Sequence, residues 1–345
     1  MTASLATERR GARATSGALI LPGLGGLLIA ALILGAATGP YAIAPGEVLR
    51  LIAARVTGAG EPSTAATVLS NIRLPRVLAA ALVGAVLAGA GAAYQTIFRN
   101  PLVSPDILGV SAGAGFGAVL GILWSMPVIV IQLMGFAGGL VTVALVVAVA
   151  TLLRGQGEVL VMVLTGIALG ALASAGISVV KILADPDQQL PAITFWLLGS
   201  LASVRTSDLT LALLPILLGL APLVAFAWRI GVMAMGEDRA LGVETGRLRL
   251  LVILCATLVT ATAVAISGII GWIGLMVPHM ARFLVGARFD RLLPASLILG
   301  ATFLVLVDTA ARSVATMEVP LGVLTALIGA PVFVWLLARG RQEWA

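Results

Sequence analysis

Long apolar runs follow one another almost without interruption along this chain of 345 residues. A hydrocarbon layer about 30 Å thick needs roughly 20 apolar residues per helical span, and a helix satisfies its own backbone polar groups there. We therefore predict an all-α, polytopic membrane protein with about ten transmembrane helices. The predicted spans are 18–38, 77–98, 107–126, 128–153, 159–182, 208–230, 249–269, 270–286, 292–311 and 321–338.

Composition supports this prediction, because only 10% of the residues are charged, whereas soluble domains have about 25%. The 40 glycines also suit a membrane protein, where small residues let helix backbones approach closely. Four of them are spaced four apart and share one helical stripe: Gly109, Gly113, Gly117 and Gly121. We expect their helix to be buried among others, within a single domain that covers residues 1–345.

The basic residues predict the orientation of the chain. With the N-terminus and the C-terminus both in the cytoplasm, fourteen of the 21 Lys and Arg residues lie on the inner side, as the positive-inside rule requires. Residues 1–17 are then a cytoplasmic tail with no clear cleavage site. The outer exceptions suggest either an external partner of negative charge or contact with lipid headgroups, and they are Arg50, Arg55, Arg73, Arg76, Lys181, Arg205 and Arg312.

Three connections are longer than a simple turn. Residues 39–72 and 184–206 are predicted on the outer side, and the apolar residues 195–198 suggest a short helix at the interface or in a cavity. Residues 231–248 form the longest hydrophilic connection on the inner side, and their glycines suggest two short helices.

The sequence lacks the motifs of several enzyme classes. His279 is the sole histidine, which excludes multi-histidine metal sites, and the sole lysine, Lys181, has no preceding glycine-rich P-loop. Any ATP hydrolysis must therefore come from another chain. Ionisable residues that could couple ions within a span are scarce, and Asp308 and Arg312, four residues apart, are expected to form a structural ion pair.

A series of motifs in a fixed order resembles one transporter family. They are RLPRVLAAALVGAVLAGAGAAYQTIFRNPLVSPDILGVSAG (73–113), FWLLGSL (195–201), MGEDRALGV (235–243), GWIGLMVPHMARFLVG (271–286), LLPASLILGA (292–301) and VPLGVLTALIGAPVFVWLL (319–337). The chain resembles the iron-complex permease family of type II ABC importers. The resemblance implies the type II importer permease fold in a bacterial or archaeal cytoplasmic membrane.

The resemblance also implies partners. These are a second copy of the chain, two cytoplasmic ATPase subunits that hold ATP and Mg²⁺, membrane lipid, and a periplasmic or lipid-anchored substrate-binding protein. No cofactor in this chain and no nucleic acid is expected. An iron complex, as siderophore or haem, is the expected cargo, with cobalamin and molybdate or tungstate as alternatives. An ion-coupled secondary transporter remains a different class of function, and an intramembrane enzyme is more distant.

Roles for individual residues follow from the same resemblance. Arg73, Arg76 and Arg312 match outward arginines that dock glutamates of the binding protein. A cytoplasmic gate is implied for Asn100, Leu102, Glu158 and Val159, although the last two depart from the small polar pair of the family. The coupling segment that docks on the ATPase is implied at Gly236, Glu237, Asp238, Arg239, Leu241, Gly242 and Glu244. Pro278 and His279 are expected to shape a short helix and its inner end, without binding cargo.

Overall fold

The computed structural model describes residues 2–58, 63–153, 158–234, 245–314 and 317–340, and this part of the chain is helical throughout apart from turns and connections. Its α-helices are α1 (Thr2–Ala37), α2 (Pro45–Thr57), α3 (Thr64–Val68), α4 (Leu74–Ile97), α5 (Val110–Leu123), α6 (Val128–Leu152), α7 (Glu158–Leu183), α8 (Gln189–Leu198), α9 (Thr206–Ala225), α10 (Ala227–Ala234), α11 (Thr245–Ser267), α12 (Ile273–Val285), α13 (Phe289–Ala311) and α14 (Leu321–Gly340). A π-helical turn, Leu69–Arg73, makes α3 and α4 continuous.

Seven helices within the described ranges are long and apolar enough to cross a membrane. They are Leu19–Ala37, Thr64–Ile97, Val128–Leu152, Val159–Leu183, Thr206–Ala225, Thr245–Ser267 and Phe289–Ala311. Each overlaps one of the ten predicted spans, and Thr64–Ile97 also includes the end of the predicted connection 39–72. The other three predicted spans contain shorter apolar helices, Val110–Leu123, Ile273–Val285 and Leu321–Leu336. The all-α polytopic architecture is confirmed, but the predicted spans 107–126 and 270–286 are longer than the helices they contain, whereas α14 extends beyond the predicted end at residue 338.

Local backbone geometry explains why two of these helices start late. Before α5 the chain forms a 3₁₀ turn, Pro105–Leu108, and Gly109 has a left-handed φ of 77°, so the α-helix begins only at Val110. Before α12 the chain leaves helical geometry at Gly268, which has a φ of 68°, and resumes it at Ile273. Hydropathy alone cannot locate such breaks, because the residues in them are as apolar as the helices.

Helix α4 lies at the centre of the bundle and packs against α11, α12 and α13. It runs antiparallel to α13, and Gly84 of α4 faces Gly300 of α13 so closely that a Cβ on either glycine would overlap the other's carbonyl oxygen. A buried hydrogen bond of 3.1 Å joins the hydroxyls of Tyr94 and Thr257 between α4 and α11. Backbone proximity and a satisfied polar pair therefore hold the core together.

Three of the four glycines of the predicted stripe lie on α5, whereas Gly109 precedes the helix in a left-handed conformation. Gly113 packs against Gly138 and Thr142 of α6, Gly117 packs against Met134, and Gly121 packs against Ile131. All three glycines are buried. The stripe thus forms the close α5–α6 contact that small residues permit within a membrane.

The outer faces of the peripheral helices expose large apolar side chains. Leu211, Leu214, Leu217 and Leu218 on α9, for example, are all exposed. Water-exposed surfaces rarely carry contiguous patches of this kind, whereas lipid tails solvate them well. The exposed faces therefore agree with the membrane environment that the sequence predicts.

The non-spanning segments follow the sequence prediction where they are described. The apolar residues 195–198 lie in the short helix α8, and the 39–72 connection contains α2 and α3. The hydrophilic connection 231–248 overlaps the end of α10 and the start of α11. Its central residues, 235–244, lie outside the described residues.

Candidate functional site

Three predicted docking residues, Arg73, Arg76 and Arg312, meet at one end of the bundle, where α1 and α13 end and α4 begins. We call this end of the bundle the arginine end. The other end, where α4 finishes, is called the opposite end. Arg73 and Arg76 are both buried, although the sequence predicts that the start of their helix lies at the outer membrane surface. Their contacts determine what each guanidinium can do.

Arg73 binds the end of α1. Its Nη1 donates to the carbonyl oxygens of Ala36 and Ala37, both at 2.8 Å, and its Nη2 donates to the carbonyl oxygen of Tyr41. The last carbonyls of a helix have no partner within the helix, and the fork of donors on arginine can satisfy several of them. Gly39, with a φ of 152°, allows the turn that brings these carbonyls to Arg73.

Arg312 binds the same turn from the side of α13. Its Nη1 donates to the carbonyl oxygen of Thr38 at 2.5 Å, and its Nη2 donates to that of Gly35 at 2.6 Å. Its Nε donates to Asp308 Oδ2 at 3.1 Å, which confirms the predicted ion pair four residues apart. Two arginines from different helices therefore hold the end of α1.

Arg76 differs from the other two arginines, because both of its partners are side chains. Its Nε donates to Asp308 Oδ1 at 2.8 Å, and its Nη1 and Nη2 donate to the two carboxylate oxygens of Glu318 at 2.7 and 3.0 Å. Asp308 thus serves both Arg76 and Arg312. The Asp308 side chain is 1% exposed, whereas that of Glu318 is 45% exposed.

We call these five residues the ionic clasp: Arg73, Arg76, Asp308, Arg312 and Glu318. The structure brings the three predicted arginines together, but it engages every one of them within the chain. Docking of a binding protein on them stays a prediction. Sequence reasoning missed Glu318, because it lies in a connection where no periodic spacing relates it to Arg76.

The predicted gate residues lie at the opposite end. Asn100 follows the end of α4, and its Oδ1 accepts a hydrogen bond of 2.9 Å from the backbone N–H of Leu102. The side chain of Leu102 is exposed. Val159 is partly buried in the first turn of α7. The side chain of Glu158 lies outside the described part of the structure. The gating role of all four residues stays a prediction.

One carboxylate near the connection to α5 was missed by the sequence analysis. Asp106 is exposed in the 3₁₀ turn that precedes α5, and its Oδ1 accepts a hydrogen bond from the Ser111 hydroxyl. Helix α7 packs against the same turn, where a Cβ on Gly166 would lie 2.7 Å from the Cα of Leu108. The feature of the sequence that could have revealed this residue is an aspartate placed between two apolar helices, where ionisable groups are costly.

The VPHMAR segment (277–282) packs against the end of α4 at the opposite end of the bundle. Gln95 of α4 donates from Nε2 to the carbonyl oxygen of Leu275 at 3.0 Å, and its Oε1 accepts from Arg282 at 3.4 Å. His279 is buried and makes edge-to-face contacts with the rings of Phe283 and Phe333. The contacts of His279 agree with the structural role expected for it, and Pro278 lies inside α12.

The implied coupling residues cannot be placed. Gly236, Glu237, Asp238, Arg239, Leu241, Gly242 and Glu244 all lie outside the described residues. Within the described ranges, no group of three or more His, Cys, Asp and Glu side chains could hold a metal ion.

A cavity of about 460 Å³ opens between α5, α6, α8 and α11. The polar side chains in its lining are those of Gln132 and four serines, and none of its lining residues is ionisable. A ligand that entered this cavity would meet hydroxyl, amide and aromatic groups. The cavity therefore suits an uncharged, partly apolar group better than an anion.

Comparison with known proteins agrees with this architecture. A family model described as the FecCD transport family matches residues 27–339. The molybdate import system permease protein MolB of Haemophilus influenzae is 42% identical over 193 residues, which cover 54% of this chain and 57% of that relative. The hemin transport system permease protein HmuU of Yersinia pestis is 39% identical over 196 residues, with 55% of this chain and 57% of the relative covered.

The cobalamin import system permease protein BtuC of Halobacterium salinarum is 41% identical over 209 residues, which cover 60% of this chain and 55% of that relative. The chain thus spans little more than half the length of the curated relatives it matches. Among solved structures, a metal-chelate type ABC transporter in an inward-facing conformation is 37% identical, with a TM-score of 0.83. That alignment covers 93% of this chain and 99% of the solved chain.

Proposed function

The chain belongs to the FecCD transport family, and on this premise we propose that it is the membrane permease subunit of a binding-protein-dependent ABC importer. The observation that carries the proposal is the family match over residues 27–339 of an all-helical chain. Its likeness to a solved ABC transporter, aligned along nearly its whole length, supports it. We place the arginine end outside and the opposite end, with both termini, in the cytoplasm.

Transport in this proposal proceeds by alternating access. Two cytoplasmic ATPase subunits bind ATP and Mg²⁺, and a second copy of the chain completes the pathway. The sequence supports this division of labour, because the sole lysine, Lys181, is not part of a P-loop. The segment 231–248 is then the contact that transmits the motion of the ATPase subunits.

The cargo we propose is an iron complex, either a siderophore or haem. Relatives named for iron chelatin and hemin transport support this class. Relatives named for cobalamin and molybdate import make those cargoes the alternatives.

A proton-coupled secondary transporter is the alternative from a different class. Such a protein needs an ionisable group that can change its protonation during transport. Asp308 is a poor candidate, because its two oxygens bind two different arginines at 2.8 and 3.1 Å. Asp308 therefore gives no support to this alternative.

Uptake by intact cells tests both cargo and driving force. Cells that lack the chain would be given a radiolabelled ferric siderophore, haem, cobalamin and molybdate in parallel, and the gene would then be restored. We expect that cells lacking the chain no longer take up one of the iron complexes, and that restoring the gene recovers this uptake. Loss of molybdate or cobalamin uptake alone would replace the proposed cargo. Uptake that survives ATP depletion but collapses with the proton gradient would contradict an ABC importer.

A further inference from the structure

The 3₁₀ turn that carries Asp106 lies deep in the bundle, and two glycine contacts show its depth. A Cβ on Gly166 of α7 would lie 2.4 Å from the carbonyl oxygen of Ile107. A Cβ on Gly274 of α12 would lie 3.4 Å from Pro105 Cδ. The turn is therefore packed directly against both helices.

Helix rise converts these contacts into a depth, because α7 starts and α12 ends at the opposite end of the bundle. Gly166 lies eight residues after Glu158, the start of α7, which is about 12 Å along the helix. Gly274 lies eleven residues before Val285, the end of α12, which is about 16 Å. A hydrocarbon layer is about 30 Å thick. Asp106 therefore lies near the middle of the membrane.

The Asp106 side chain is exposed at this depth. Its Oδ1 accepts a hydrogen bond from the Ser111 hydroxyl in the first turn of α5, and it forms no ion pair with any residue that the structure describes. The N-terminus of α5 carries partial positive charge, which stabilises the ionised carboxylate. Carboxylates within membranes nearly always face the bundle interior or a water-filled cavity, because contact with lipid is costly. Asp106 therefore faces water.

We propose that Asp106, oriented by Ser111, is a cation-attracting site in the wall of the transport pathway. This inference rests on the proposed function, in which a water-filled cavity at this depth is the route of the cargo. Ser111 holds Oδ1, and Oδ2 accepts no hydrogen bond from the described residues, so Oδ2 is available to a ligand. The ligand class is an organic cation, such as an ammonium group carried by the cargo.

Thiol labelling measures both water access and charge at this position without knowledge of the cargo. Cys255 is the sole cysteine and is buried, so Cys255→Ala provides the background. Ala112→Cys, which is partly buried and follows Ser111, is one reporter, and Asp106→Cys is the other. Inverted membrane vesicles that contain the chain with its partner subunits would be treated with a cationic and an anionic methanethiosulfonate reagent, with and without ATP.

Asp106 should raise the rate at which Ala112→Cys reacts with the cationic reagent and lower its rate with the anionic one. A unit charge about 4–8 Å away in water changes the local concentration of each monovalent reagent about twofold to sixfold, in opposite directions. Asp106→Asn should therefore lower the ratio of the two rates at least about threefold at low salt, and the change should shrink as salt rises.

Two control variants separate the charge of Asp106 from other effects. Asp106→Glu keeps the charge and should keep the ratio. Asp290→Asn is the matched control, because Asp290 is also exposed but lies at the membrane edge, 2.8 Å from Arg288. It should leave the ratio unchanged.

Failure of both reporters to react, with and without ATP, would show that the site is closed to water and would overturn the proposal. A ratio that Asp106→Asn does not change, or that Asp290→Asn changes equally, would overturn it as well. ATP hydrolysis by the same vesicles reports on the proposed function separately. If the ratio falls but no ATP hydrolysis depends on this chain, the importer assignment fails and the cation-attracting site stands.

Discussion

Neutralising the shared carboxylate of the clasp, by Asp308→Asn, should destabilise the protein strongly. Asp308 is nearly inaccessible to solvent, and its two oxygens lie 2.8 Å from Arg76 Nε and 3.1 Å from Arg312 Nε. Asparagine keeps the shape of the side chain, but it removes the negative charge and replaces one acceptor oxygen with a donor. Two buried guanidinium groups would then share one neutral oxygen.

The magnitude follows from the burial of the two pairs. Removing one partner of a buried ion pair costs about 3–5 kcal/mol, because the remaining charge is left uncompensated. We expect Asp308→Asn to lie near the lower value, since Glu318 still binds Arg76. Glu318→Gln should cost about 0–1 kcal/mol, as is typical of pairs that reach water. Each substitution removes one negative charge from the clasp, but Asp308 is buried between two arginines, whereas Glu318 is exposed and binds one.

The assay is reversible unfolding by SDS in mixed micelles, followed by tryptophan fluorescence. Wild type, Asp308→Asn and Glu318→Gln would be compared at one protein concentration and one lipid composition. A loss of stability below about 1 kcal/mol for Asp308→Asn would refute the reasoning, because that is the cost of an exposed pair. Equal losses for the two variants would show that burial does not distinguish the two carboxylates.

The remaining predictions concern packing, gating and coupling. Gly84→Ala should cost about 1–3 kcal/mol of stability in the same SDS assay, because its Cβ would overlap the backbone of α13. Gly26→Ala, on α1 with open space around it, is the matched control and should be neutral or slightly stabilising. Asn100→Ala, which removes the hydrogen bond to the following turn, should increase ATP-independent cargo leakage from proteoliposomes; unchanged leakage would remove this residue from the gate. Charge reversal at Glu237 and Arg239 should abolish uptake while cargo still binds to the outside of the cells, whereas normal uptake would place the ATPase contact elsewhere.

The bundle could be predicted from the sequence because its cause is local. Each apolar run of about 20 residues is a span by itself, so length and hydropathy locate most helices without knowledge of their neighbours. The pairing of Asp308 with Arg312 was predictable for the same reason, since a spacing of four residues places both on one helix face. The late starts of α5 and α12 were not predictable, because they depend on backbone turns at Gly109 and Gly268.

The clasp could be predicted only in part. The alternation of spans places Arg73, Arg76 and Arg312 at the same end, but it does not reveal their partners. Glu318 lies 242 residues from Arg76 in sequence, and the other acceptors are backbone carbonyls at the end of α1. Such contacts are set by the tertiary packing of α1, α4 and α13. The sequence therefore indicated that the three arginines lie at the same end of the bundle. It did not indicate which of them are already bound within the chain.

The central claim is that this chain provides the membrane pathway while a separate subunit hydrolyses ATP. It is tested most directly by isolating the tagged chain from its native membrane in mild detergent and measuring ATP hydrolysis before and after its partners are stripped. The account predicts that ATPase activity co-purifies with the chain, disappears when the partners are removed, and returns when they are added back. ATP hydrolysis by the stripped chain, or the absence of any ATPase from a complex that still imports cargo after reconstitution, would contradict it.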